Sequence, residues 1–235
     1  MAAPVIETHA LGKTFGLTPV LRETDFRLAP GHAAVIIGGN GSGKSTLLSI
    51  LCGLVSPSEG SALVFGEDTR RFSPRYRRRI GMLSHQSFLY PNLTARENLE
   101  FYARLYGVSE PRKAADAWLE RIGLGESADD RVRTFSRGME QRLTAARAMI
   151  HNPALLLLDE PFAALDSDGI ARVKAMIREA ADEGCTLVAT AHAQLEIEGI
   201  SFELYEIVRG QVVEYQEKDE ARRGGRLRSL LSPRS

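Results

Sequence analysis

The sequence predicts an α/β fold arranged around a phosphate-binding loop, on three observations. The stretch Gly38-Gly39-Asn40-Gly41-Ser42-Gly43-Lys44-Ser45-Thr46 fits G-x-x-x-x-G-K-[ST]. It lies between an apolar run at 33–37, which reads as a buried strand, and a second apolar run at 47–51, which reads as a helix start,. Two further apolar runs, 154–158 and 186–191, end in polar residues: Asp159-Glu160 in one case and His192 in the other. Buried parallel strands have this appearance, and ligands gather at their carboxyl ends.

The residue types of the loop follow from its task. The four glycines let the backbone turn tightly and approach a triphosphate without Cβ clashes,. Its N–H groups, among them those of Asn40, Gly41, Ser42 and Thr46, then face phosphate oxygens, and the helix N-terminus behind them favours an anion. Lys44 supplies positive charge for the β- and γ-phosphates, and the Ser45 hydroxyl is placed to ligate Mg²⁺.

Composition bounds the rest. The chain has 235 residues, 43% hydrophobic and 26% charged, which suits a soluble globular protein of one large domain or two small ones,. Lys+Arg and Asp+Glu are both 30, which argues against a bulk nucleic-acid binder,. Cys52 and Cys185 stand far apart and read as reduced, buried thiols of a cytosolic protein,. No apolar run approaches the roughly 18 residues needed to cross a bilayer. The N-terminus lacks a basic region followed by an apolar core, so no secretory signal is expected. Work at a membrane would need another chain to span it.

Taken in order, residues 5–9 alternate loosely and read as an edge strand. Residues 12–16 read as a turn in which Phe15 is either a satellite core residue or a stacking platform for a base. Residues 20–28 read as a strand, with a turn at Pro30-Gly31 before the loop strand. Residues 61–66 read as a strand, followed by the basic segment Arg70, Arg71, Arg75, Arg77, Arg78 and Arg79, a solvated face,. Residues 80–84 form the next strand, with His85-Gln86 at its end. Phe88, Leu89 and Tyr90 follow in a loop, tucked into the core or kept exposed for a partner. Thr94-Ala95-Arg96-Glu97 is a capping box opening a helix with Leu99, Tyr102, Ala103 and Tyr106 at helical spacing. A second helix runs over 111–122 with Trp118, Leu119 and Ile122 inward. Residues from about 87 to 150 therefore read as an inserted helical subdomain. Within it, Ser136 suits a helix N-cap and Gly138 permits close backbone approach.

The acidic pair is the second specific pattern. At the end of a buried strand, Asp159 can hold Mg²⁺ and Glu160 can orient and polarise an attacking water. Residues 163–166 read as a turn before a helix through Glu179. His192, closing a core strand, is a candidate γ-phosphate sensor. Residues 202–215 read as a hairpin turning at Arg209-Gly210. The tail from 216 to 235 is rich in arginine and reads as solvated.

Together these pieces resemble the nucleotide-binding subunit of ABC transporters over residues 5–215. The order is the family's: Phe15, the loop, Gln86, the signature at Ser136, Asp159-Glu160, Asp166 and His192. The resemblance implies a P-loop NTPase of ABC type, with a mixed-sheet core (1–215), an antiparallel β-subdomain and the inserted helices. It implies ATP and Mg²⁺ as ligands, Phe15 stacked on adenine, and Ser45, Gln86 and Asp159 at the metal. Gln86 would also reach the attacking water and couple the site to the membrane partner. Glu160 would be the general base and His192 a γ-phosphate contact. Ser136 and Gly138 would cap ATP held by the other subunit, and Asp166 would lie at the same interface. The working unit implied is a head-to-tail homodimer on the cytoplasmic face of the cell membrane, with separate transmembrane subunits and no nucleic acid.

The chain departs from the family pattern in places. Phe135-Ser136-Arg137-Gly138-Met139 stands where Leu-Ser-Gly-Gly-Gln is usual, Gly39 where Pro is frequent, and Ala191 where a hydroxyl residue is common. Ser84-His85-Gln86, the segment 93–102 and the segment 160–169 look like the ATPase of the haem exporter used in cytochrome c maturation. The alternatives are an ABC-2-type exporter ATPase for another substrate and a soluble ABC ATPase. ABC ATPases that act on DNA or ribosomes usually carry two domains or a long coiled coil, which 235 residues without heptads do not fit,. A regulatory nucleotide-binding module would have no need of Glu160.

Overall fold

The computed structural model describes residues 3–192 and 195–215. The arginine-rich tail lies outside the described residues. The elements in order are β1 (Ile6–Phe15), β2 (Thr18–Thr24), β3 (Arg27–Leu28), β4 (Ala33–Ile37), α1 (Lys44–Leu51), β5 (Glu59–Val64), β6 (Glu67–Asp68), α2 (Pro74–Arg77) and β7 (Ile80–Leu83). There follow α3 (Ala95–Tyr106), α4 (Pro111–Arg121), α5 (Arg137–Met149), β8 (Leu155–Asp159), α6 (Ser167–Asp182), β9 (Thr186–Ala191), β10 (Phe202–Val208) and β11 (Gln211–Glu214).

A six-stranded sheet, ordered β11-β10-β4-β9-β8-β7, forms the centre. Its strands are parallel except β11, which pairs antiparallel with β10 across the expected turn at Arg209-Gly210. The inner strands β4, β8 and β9 are buried along nearly their whole length because both faces are covered, whereas β10 and β11 at one side carry Glu203, Glu206, Gln211 and Glu214 and are mostly half-buried or exposed,. Ala34, Ile36, Leu155, Leu157 and Val188 pack with α1 and the second sheet. Val35, Leu156, Leu158, Leu187 and Ala189 pack on the opposite side with α3, α5 and α6. Adjacent residues of one strand thus enter different cores, as the period of two requires.

The second sheet is antiparallel, ordered β2-β1-β5-β6, with β3 also on β1. Here two expectations fail. Residues 5–9 do not form an edge: β1 pairs with β2, β3 and β5 and is central. Nor is 12–16 a turn. The β1 ladder continues through Gly12↔Glu59, Thr14↔Pro19 and Phe15↔Thr18, and the chain reverses at Gly16-Leu17. Lys13, Thr14 and Phe15 pair with β2 in a local hairpin and Gly12 with β5, so ladder pairing carries the strand past the glycine signal,. The expected strand at 20–28 is broken into β2 and β3, where Phe26 turns inward at 3% exposure.

Between β7 and β8 the regular elements are the helices α3, α4 and α5 and a short 3-10 turn. The Thr94 capping box forms as expected: Thr94 Oγ1 accepts from the Glu97 amide (3.1 Å) and Glu97 Oε2 accepts from the Thr94 amide (2.8 Å). Trp118, Leu119 and Ile122 are buried. One close approach fixes α5 on the sheet. A Cβ on Gly81 would stand 2.2 Å from the Ala148 carbonyl oxygen, so only glycine lets β7 and α5 meet there,. Helix α6 runs three residues past the expected Glu179, to Asp182.

Candidate active site

The parallel register brings the candidate groups to one edge of the central sheet. Ile37 pairs with Ala191, so Gly38 and His192 leave neighbouring strands at one level. Asp159 pairs with Thr190, and Leu83 with Leu158, which puts Ser84-His85-Gln86 beside the same edge.

The loop following β4 is held by its own lysine. Lys44, 6% exposed, donates to the carbonyls of Gly38 (2.7 Å) and Gly39 (3.1 Å). Gly43, at φ +109, is the N-cap of α1 and offers no side-chain cap, and α1 has no acid in its first turn. The helix therefore begins with unneutralised positive dipole at the loop. Gly43 must be glycine on two counts: its φ, and the approach of Leu21 Cδ2 to 2.9 Å from the place of a Cβ. A Cβ on Gly38 would meet Ser42 Oγ at 2.6 Å, and that Oγ is buried without a hydrogen-bond partner. A buried cation, an orphaned hydroxyl and a cradle that Cβ atoms would fill suit a phosphate chain. Ser45 and Thr46 open α1 beside Lys44.

Asp159 ends β8 at 3% exposure, and its Oδ1 accepts from Thr190 Oγ1 at 2.6 Å. His85 Nε2 lies 3.9 Å from its Oδ2. The next residue, Glu160, takes a left-handed backbone (φ 50). Its amide is held at 3.3 Å from both the carbonyl and the Oγ1 of Thr190. Such a conformation in a non-glycine residue costs of order 1 kcal/mol and persists where its surroundings enforce it. It accompanies a contact between the Glu160 carboxylate and His192: Nε2 to Oε1 is 2.8 Å. Asp159, Glu160, His85 and His192 are therefore one cluster. Thr190 ties it together and was missed in the sequence, where it reads as strand core. No feature of the sequence singles it out; its full burial and its register with Asp159 appear only in the fold.

The remaining candidates sit apart. Gln86 is exposed, and its carbonyl accepts from Ser84 Oγ at 2.9 Å. Phe15 closes β1 at 49% exposure with Lys13 Nζ 4.8 Å from its ring centroid, which leaves a ring face in solvent rather than in the core. Ser136 is an exposed N-cap of α5, accepting from the Met139 amide at 3.3 Å, and α5 packs on β7, α3, α4 and α6. Gly138 faces the carbonyl of Ala164, 3.3 Å from the place of its Cβ. Asp166 caps α6 by accepting from the Gly169 amide at 2.8 Å. Both cysteines are free; burial raises Cys52, half-buried, to about 11 and Cys185 to about 12, so both stay thiols,. Among the described residues no helix is long and apolar enough to cross a membrane.

Comparison with known proteins agrees with this geometry. The family model for ABC transporters matches residues 21–163. The lantibiotic transport ATP-binding protein SrtF of Streptococcus pyogenes is 34% identical over 215 residues, covering 92% of each chain. The cytochrome c biogenesis ATP-binding export protein CcmA 2 of Cupriavidus metallidurans is 35% identical over 204 residues, covering 87% of this chain and 97% of its own. Among solved structures, the dimeric post-hydrolysis state of the ATP-binding cassette MJ0796, bound to ADP and Pi, superposes with a TM-score of 0.80 at 26% identity, covering 90% of this chain and 99% of that one. The phosphate loop, the acidic strand end and these likenesses lead to one assignment: the chain belongs to the ABC transporter family, as an ATP-binding, ATP-hydrolysing subunit that uses Mg²⁺ and works with transmembrane subunits.

Proposed function

We propose that the chain powers export across the cell membrane from its cytoplasmic face, with Glu160 as the base of ATP hydrolysis. The observation that carries the base assignment is the 2.8 Å contact of Glu160 with His192 beside the buried Asp159. The Glu160 carboxylate accepts a proton from the attacking water, and the imidazole fixes its direction and contacts the γ-phosphate. Gln86 orders the same water. Amides of 38–46 and the Lys44 ammonium bind the phosphates, while Phe15 stacks on the base. Ser45, Asp159 and Gln86 would hold Mg²⁺, which when bound neutralises charge on the phosphate oxygens. Ser136 and Gly138, exposed or half-exposed at the start of α5, close over ATP held by the twin subunit, with Asp166 at that interface.

Phe88, Tyr90, Phe101 and Leu105 are exposed at 38%, 46%, 40% and 52%. Tyr90 and Phe101 meet edge to face at 5.1 Å, and Leu105 follows Phe101 by one turn of α3, an exposed apolar surface suited to the transmembrane partner,.

Haem is the proposed cargo, on the Ser84-His85-Gln86 segment and the likeness to CcmA 2. Export of another substrate through ABC-2-type membrane subunits is supported equally by the likeness to SrtF. Affinity purification from the native membrane separates the two. Co-purifying cytochrome-maturation subunits would support haem, and unrelated permeases would remove it. Either result leaves the ATPase reading to be tested by turnover of Glu160→Gln.

A further inference from the structure

Arg147 is a buried cation without a carboxylate. It lies on α5 at 5% exposure and forms no ion pair among the described residues. Its Nη2 donates to the Met82 carbonyl at 2.5 Å, and its guanidinium carbon lies 5.6 Å from the ring centroids of both Phe88 and Tyr102. Its Nε is buried with no partner. Taking an arginine out of water with so little compensation is costly, and an apolar side chain could fill the same volume. Such a group calls for a role beyond packing.

The groups it touches define that role. Met82 is on β7, Phe88 is two residues after Gln86, and Tyr102 is on α3. The Tyr102 hydroxyl donates to the Phe88 carbonyl, where the backbone is left-handed at φ 53. At Tyr90, two residues after Phe88, the fully buried Asn98 of α3 donates to the Tyr90 carbonyl (3.0 Å) and accepts from the Tyr90 amide (2.7 Å). The loop that carries Gln86 is therefore fixed at Phe88 and Tyr90 by side chains from α3 and α5. Helix α5 also carries Ser136 at its N-cap, about three turns before Arg147,.

We infer that Arg147 is a positioning residue that locks the Gln86 loop to the helix carrying Ser136. The group serving the chain's own nucleotide and the group serving the twin's then move as one body. A displacement of the loop by the membrane partner pulls Phe88 off the guanidinium and is transmitted along α5. Tyr102 is the second anchor of the same joint. The inference rests on the roles proposed above for Gln86 and Ser136.

The test is a double-mutant cycle on the purified full chain, with kcat and ATP Kd measured for Arg147→Met, Tyr102→Phe and Gln86→Ala, singly and combined. Arg147→Met should lower kcat about tenfold with Kd within about twofold, and should cost less than about twofold once Gln86 is alanine. Arg147→Lys, which keeps charge but not the planar fork, should recover only part of the loss. Equal losses in both backgrounds, or a loss shared by Kd, would show a structural role and overturn the inference, as would an unchanged kcat. Should Arg147→Met not fold, Tyr102→Phe carries the test, with a loss of about threefold and the same dependence on Gln86. Gln86→Ala alone distinguishes the two levels. If it leaves kcat intact, the role of Gln86 itself falls and the inference with it. If it slows turnover but the effects simply add, only the inference falls.

Discussion

Thr190 Oγ1 donates to Asp159 Oδ1 at 2.6 Å, and both residues are sealed from solvent. The same hydroxyl lies 3.3 Å from the Glu160 amide. One methyl-sized polar group thus orients the acid proposed to face the metal and the backbone of the acid proposed to face the water. Thr190→Val keeps the shape and removes both contacts, leaving a carboxylate oxygen buried and unpaired. The expected cost is about 1–3 kcal/mol of stability in urea unfolding, with a rise in the Mg²⁺ concentration needed for half-maximal turnover. Unchanged values of both would mean that Thr190 is a bystander.

Glu160 and His192 should behave as one unit. Glu160→Gln is expected to retain ATP affinity, to lower turnover by a factor of about 10² or more, and to accumulate an ATP-bound dimer visible by light scattering. His192→Ala should lower turnover on its own but cost less than about threefold in the Glu160→Gln background, because the group it orients is already disabled. Hydrolysis at the parent rate by Glu160→Gln would remove the base from its role.

The loop makes a separate prediction. Lys44 holds the Gly38 and Gly39 carbonyls, so Lys44→Ala loses a phosphate contact and also slackens the loop. ATP affinity by calorimetry should fall by about 30-fold or more, the scale for removing one member of a buried charge contact. Gly38→Ala tests the cradle without touching charge. Its Cβ would sit 2.6 Å from Ser42 Oγ and turn that unpartnered hydroxyl out of its present place, so ATP affinity should fall, by less than in Lys44→Ala, with stability nearly unchanged. Wild-type ATP binding by both variants would place the triphosphate elsewhere.

The loop and the acidic strand end were legible because their chemistry is local: consecutive residues supply the turn, the charge and the flanking strand. Ser136 as an N-cap was legible for the same reason, whereas Asp166, read as the end of a turn, proves to cap the helix that follows it. What was not legible depends on partners distant in sequence. β1 became a central strand because β5 lies on one side of it, which no feature of residues 5–9 announces. Arg147 reads as one more helix residue until Met82, Phe88 and Tyr102 converge on it from two other stretches. Thr190 reads as strand core until the β8–β9 register sets it against Asp159.

His151 sets a pH dependence that is independent of the nucleotide. It stacks on Tyr106 with ring centroids 3.9 Å apart, and Nε2 lies 3.3 Å from the Ile80 carbonyl. Its Nδ1 is buried without a partner, and Arg147 lies near enough to oppose a second positive charge. Burial is the larger cause, and the two together lower the imidazole from 6.5 to about 4,. The folded state therefore binds this proton less readily than the unfolded chain. Between pH 6.5 and about 4 the unfolded state carries more protons, so stability rises with pH across that window and is lost as pH falls through it,. The full shift corresponds to about 3 kcal/mol. His151→Gln removes the titrating group while keeping a polar side chain of similar reach. Its unfolding free energy should be lower than the parent's at pH 7.5 but flatter by up to about 3 kcal/mol between pH 6.5 and 4 in urea titrations. Parallel curves for parent and variant would mean that His151 is protonated as easily in the fold as outside it, and that its buried nitrogen is reached by water.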